Sequence, residues 1–197
     1  MAKTFYYDSI GLIESTLQDG TMSGTTFSAS SSITNEERVI DQSISTAVTA
    51  IEEDDAMRFT LSGNKAVDFI AAHFNASEAD SLLLAYDNND SGAYEATPST
   101  MNGFTANIWQ VDEFSSQSKQ YWIIHASTGG GLVGLTEVIL GAKLAFDMNP
   151  DIGIGEQEIY GTDIQRSIGG VEYGTKSHEP ISTISMNFSN VSSTFKD

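Results

Sequence analysis

Residues 121–146 read Y-W-I-I-H-A-S-T-G-G-G-L-V-G-L-T-E-V-I-L-G-A-K-L-A-F. An apolar run, a triple-glycine turn and a second apolar run predict two strands, 120–126 and 135–140, with their connection. Both runs are short and rich in β-branched residues, which suits buried strands. The segment is built like scaffold and not like a catalytic loop.

Working outward, residues 57–61 alternate: Met57, Phe59 and Leu61 point one way, Arg58 and Thr60 the other. Gly63-Asn64 reads as a turn, and residues 66–74 follow as a central strand apolar on both faces. Residues 81–86 form the next strand. Residues 103–111 read as another, with Trp109 and Val111 on one side and Ile108 on the other, and 112–119 as a polar connection. Residues 33–55 allow two readings. Thr34 with Glu37 fits a capping box, and Ile40, Ile44, Ala47, Val48 and Ile51 fall at helical spacing. The favoured expectation is a helical turn near 38–41, then a hairpin whose turn is Glu52-Glu53-Asp54-Asp55. Past Asn149-Pro150, Gly169-Gly170 predicts a hairpin. A final alternating strand with an apolar face follows Pro180. The fold class is therefore all-β, a jelly-roll-like antiparallel sandwich with a β-rich C-terminal arm.

The chain has 197 residues, no cysteine and a net charge of −18. The length suits one domain with an extension. Without thiols there is no disulfide framework, thiolate nucleophile or zinc–thiolate site. The acidity repels polyphosphate backbones and anionic lipid, so nucleic acid is not an expected partner. No apolar run approaches the length of a membrane span, and the N-terminus lacks a secretory apolar core.

Candidate chemistry is sparse. Asp87, Asn89 and Ser91 occupy alternating oxygen-ligand positions before Gly92, like the first half of a calcium loop, with Glu95 as a further ligand. Pro98 then stands where a closing glutamate belongs, so a polar turn is the favoured reading and calcium the alternative. The 52–55 carboxylates read as a solvated turn. His73, His125 and His178 are scattered, and the first two read as hydrogen-bonded residues in or near the core. The glycine clusters lack the spacing of phosphate loops or dinucleotide fingerprints. Trp109 and Trp122 have rings that stack on sugars, but apolar strand neighbours make both read as core. No catalytic, cofactor or metal residue is assigned, and no enzyme is expected.

The order Arg38-Val39-Ile40-Asp41, Thr46-Ala47-Val48, then 57–61 running into Ser62-Gly63 resembles the opening of galactose-binding-like (discoidin-like) β-sandwich domains. That family commonly has tryptophan after the threonine, where this chain has Ala47. Tyr121-Trp122-Ile123-Ile124 and residues 135–141 resemble the family's closing strand pair. The continuation through 164–173 and 184–188 is similar to minor tail or tail-tip proteins of tailed bacteriophages. The resemblance implies a sandwich over 1–148 and a docking arm over 149–197. It also implies a non-enzymatic virion structural role beside other tail proteins, as a homo-oligomer in an assembly. The alternative it implies is a carbohydrate-binding or calcium-assisted adhesion module.

Overall fold

A computed structural model describes residues 3–6, 10–29, 33–127, 131–146, 155–166 and 172–185. The strands are β1 (Lys3–Phe5), β2 (Thr16–Ser23), β3 (Thr26–Ser28), β4 (Asp55–Phe74), β5 (Glu78–Asp87), β6 (Ala96–Phe104), β7 (Ile108–Ala126), β8 (Leu135–Gly141), β9 (Leu144–Phe146), β10 (Gly155–Arg166) and β11 (Glu172–Ser185). Short 3-10 turns cover Leu12–Glu14 and Glu36–Ile40. The chain divides into two compact units, Thr4–Leu144 and a second made of Met1–Lys3 with Ala145–Asp197. In the second, β10 and β11 pair antiparallel from Gly155–Ser185 to Arg166–Glu172, as the expected hairpin. Gly169-Gly170, where the sequence places the turn, and residues 186–188 of the expected last strand lie outside the described residues.

The larger unit is organised by β4 and β7, which run antiparallel beside each other. Their outer neighbours change halfway. Where Ala56–Thr60 faces Tyr121–His125, β2 flanks β4 and β5 flanks β7. Where Phe69–Phe74 faces Ile108–Glu113, β8 flanks β4 instead. Register shifts between Thr60 and Lys65, and between Val67 and Phe69, mark the change. Such irregularities bend a strand and re-aim its side chains. Core-facing residues are Met57, Phe59, Leu61 and Val67 before the shift, and Ile70, Ala72 and Phe74 after it. Both halves enclose one core with Trp122, Ile124, Val138 and Leu140, so one strand pair supplies both layers of a sandwich.

Several expectations are corrected. Gly63-Asn64 is not a turn between strands; β4 continues through it, along an exposed stretch where the ladder to β7 is interrupted. Residues 112–119 are not a connection but the middle of β7, where exposed and half-buried positions interleave and Phe114 packs against the core. The expected strand 103–111 is split by a turn at Asn107 (φ 60), and β6, with Pro98 in it, stands before that turn. The two apolar runs of 121–146 are strands, but they do not pair with each other: β8 pairs with β4.

Residues 41–51 form neither a helix nor a hairpin arm. Thr34 and Thr49 clamp this segment, the Thr34 N–H donating to Thr49 Oγ1 (2.7 Å) and the Thr49 N–H to Thr34 O (3.2 Å). Ile51 bridges to Leu132 and not to β4. Tertiary bonding to the 132–135 strand entry outweighs the local helical spacing. The acidic turn exists, closed by the Asp55 N–H to Glu52 O bond (3.1 Å).

Candidate functional site

The outer face of the β7–β4–β8 layer follows from register. Trp109, His73 and Glu137 form one row across the three strands, and Val111, Ala71 and Ile139 the next. Asn107 and Asn75 are two positions beyond Trp109 and His73, and the Asn107 N–H bonds Phe74 O (2.7 Å) beside them. The Trp109 indole is 39% exposed and tilts against the His73 ring at 5.3 Å. Trp122 is the core tryptophan that the sequence suggests; Trp109 is not. Strand neighbours cannot distinguish inner from outer face.

His73 is buried, as expected. Its Nδ1 lies 2.6 Å from Thr136 Oγ1, which resembles a nucleophile–base pair. Thr136 Oγ1 also lies 3.0 Å from His73 O, so its one proton serves either the carbonyl, with Nδ1–H then donating to Oγ1, or Nδ1 itself. In both arrangements the pair ties β8 to β4. His125 is half-buried, with Nδ1 3.0 Å from Ala126 O and its ring stacked on Tyr94. Burial pushes its pKa below the ordinary histidine value; the Ala126 carbonyl and Asp54 oppose that only in part. His178 lies on β11 opposite Gly161.

The expected calcium residues serve another purpose. Asp87 is fully buried, and its carboxylate accepts from the N–H groups of Asn89 (2.9 Å) and Gly92 (2.8 Å) and from the Ser91 hydroxyl (3.2 Å). Ser91 is thus a donor to Asp87, while Asn89 and Glu95 are exposed. A cation would have to displace these donors. Asp90 pairs with Arg58, and Asn88 accepts from Lys119. The Arg58 guanidinium sits over the Tyr121 ring (4.8 Å) and near Phe27 (5.9 Å). The 88–95 loop is thereby fastened over a small apolar cluster of Met22, Phe27, Ala56 and Ile123, against which Tyr94 packs. Burial raises the Tyr94 pKa far above the ordinary phenol value. Among the described residues, no group of three His, Cys, Asp or Glu side chains is placed to hold a metal ion.

At the far end of this face, the Tyr6 ring meets Phe69 edge-on at 5.1 Å, and its hydroxyl donates to Glu113. Lys143 donates to the same carboxylate. That bond, then Tyr6, lowers the Glu113 pKa, while the Glu113 contact raises those of Tyr6 and Lys143.

No family model matches the chain, and no curated protein matches it. Solved structures similar to it include a family 32 carbohydrate-binding module of Clostridium perfringens with GalNAc-β-1,3-galactose, at 10% identity and TM-score 0.49, covering 68% of this chain and 99% of that one. Chitosan-binding module 1 of a Paenibacillus sp. IK-5 chitosanase/glucanase has 14% identity and TM-score 0.48, covering 66% and 97%. The family 32 module of Clostridium perfringens NanJ with galactose has 17% identity and TM-score 0.46, covering 68% and 97%. The likeness is one of fold class, and no residue role is carried across. The expected likeness to bacteriophage tail proteins has no support in these comparisons.

Proposed function

We propose that the chain is a non-catalytic recognition module that binds a neutral carbohydrate on the outer β7–β4–β8 face. The observation that carries this reading is the Trp109 indole exposed on this face, with the exposed polar residues Asn75 and Asn107 at the adjoining strand ends. Pyranose rings lay their C–H faces on aromatic rings, and amides bond the flanking hydroxyls. A net charge of −18 disfavours anionic glycans. Glycan-array binding and calorimetry on the wild type and Trp109→Ala test it. The expected loss is about tenfold, the equivalent of about 1.4 kcal/mol. Trp122 is fully buried and out of reach of a ligand on this face, so a ligand-induced fluorescence shift reports on Trp109. A glycan that binds Trp109→Ala as tightly as the wild type, or an array without a single binder, refutes the reading.

A second reading is a structural component of a virion, assembled with tail-type proteins or with further copies of itself. The long β10–β11 hairpin in a unit of its own favours it. Mass spectrometry of purified particles would then find the chain at stoichiometric abundance; its absence from them removes this reading.

A further inference from the structure

We infer that the outer β7–β4–β8 face is an extended platform for internal stretches of a linear neutral polysaccharide, with Trp109 and Tyr6 as its end rings; this rests on the carbohydrate reading above and adds the length of chain the site takes. The rows of this face are evenly spaced, because β4 and β7 pair without irregularity from Phe69–Glu113 to Phe74–Ile108. The first row holds Trp109. The second is Val111, Ala71 and Ile139, and the third contains Glu113 and Phe69. Tyr6 stands over that third row: its ring meets Phe69 at 5.1 Å and its hydroxyl donates to Glu113. Both end rings are partly open, Trp109 and Tyr6 each at 39%. Between them Val111 is 42% exposed and Ile139 half-buried, so the strip is apolar from ring to ring.

Spacing selects the ligand. From the Trp109 row to the Glu113 row the strand advances roughly 13 Å. That is longer than one pyranose ring and suits a run of about three. A single sugar on Trp109 does not reach Tyr6. A linear chain laid along β7 reaches both rings and covers Val111 with its C–H faces. The row between the rings carries no charged side chain, so a neutral chain crosses it without stranding an ion. Tyr6 is also held ready for the contact. Glu113 fixes its hydroxyl and Lys143 fixes Glu113, so the ring has little freedom left to lose when a ligand arrives.

Calorimetry on the full chain tests this with ladders of β-linked glucan, mannan and galactan oligomers, monomer to hexamer. In at least one ladder, affinity is expected to rise about tenfold from dimer to tetramer and to change little beyond. Tyr6→Ala and Val111→Asp are each expected to remove most of that rise. Tyr6→Phe keeps the ring, loses the bond to Glu113 and is expected to retain it. Should Tyr6→Ala fail to fold, Val111→Asp, a change at an exposed position, decides alone. Two results overturn the platform and leave the carbohydrate reading standing. One is an affinity that is flat from monomer to hexamer yet weakened by Trp109→Ala, which makes the site a single-sugar one. The other is a length dependence kept by both Tyr6→Ala and Val111→Asp, which puts the extra contacts elsewhere. Silence of every ladder overturns the platform as well, whereas the carbohydrate reading falls only with the glycan array.

Discussion

Replacing Asp87 by alanine should loosen the 88–95 loop and destabilise the larger unit. The buried Gly92 N–H loses a charged acceptor at 2.8 Å. An orphaned buried donor of that kind costs about 1–3 kcal/mol. The Asn89 N–H and the Ser91 hydroxyl belong to exposed residues and are rehydrated, so their loss adds less. Truncation of a fully buried side chain leaves a small void, and the total is about 2–4 kcal/mol. With a urea slope of about 2–3 kcal/mol/M for a chain of this size, the midpoint falls by about 1 M. Urea titration followed by Trp122 fluorescence measures it. Asp87→Asn keeps one acceptor oxygen and should lose about half as much. Millimolar calcium should move neither midpoint, because the carboxylate is already engaged by three donors. A change below about 0.3 kcal/mol in Asp87→Ala refutes the argument that Asp87 anchors the loop. A calcium shift present in the wild type and absent in the variant would turn the loop back into a metal site.

Two further outcomes follow from single residues. His125 has a folded pKa below its unfolded value of 6.5, so the unfolded chain takes up the proton first. Its contribution to stability is complete above about pH 6.5 and is lost as pH falls from there through the lower folded pKa. The difference in stability between the wild type and His125→Gln, measured by urea unfolding from pH 7.5 to about 5, should shrink with acidification; a flat difference contradicts the assigned burial effect. Gly134 has φ +82, and a Cβ there would collide with Asn75 Oδ1 and press on Ala76. Gly134→Ala should cost about 1–3 kcal/mol by thermal melting, and a neutral result would mean that the 132–135 entry is freer than drawn.

The β class and the core face of 57–61 were legible because alternation is a local property. The pairing of β8 was not, since nothing in residues 135–141 says whether β4 or β7 is the neighbour. Continuity also escaped local reading. Gly63-Asn64 carries turn chemistry, yet the chain runs on extended, and the ladder irregularity there absorbs the weak strand formers. Residues 112–119 look like loop because Phe114 is their single apolar residue, and one core-facing side chain makes no alternation. The Asp87 loop was seen for its oxygens, but whether those oxygens face a cation or their own backbone depends on a fold that closes over them. Trp109 was misplaced for the opposite reason: a tryptophan in an apolar strand carries no mark of the side it will face.

The exchange of neighbours along β4 and β7 has a bearing on how the chain reaches this state. Neither layer owns a complete set of strands, so neither can form first and wait for the other. The innermost β4–β7 pair, Phe74 with Ile108, already encloses β5 and β6. Each further pair toward Ala56 and His125 closes a longer excursion of chain. Assembly is therefore dominated by distant contacts and is slow for its size. Once made, the two layers stand or fall as one cooperative body, and no cut between them leaves a piece able to hold its shape.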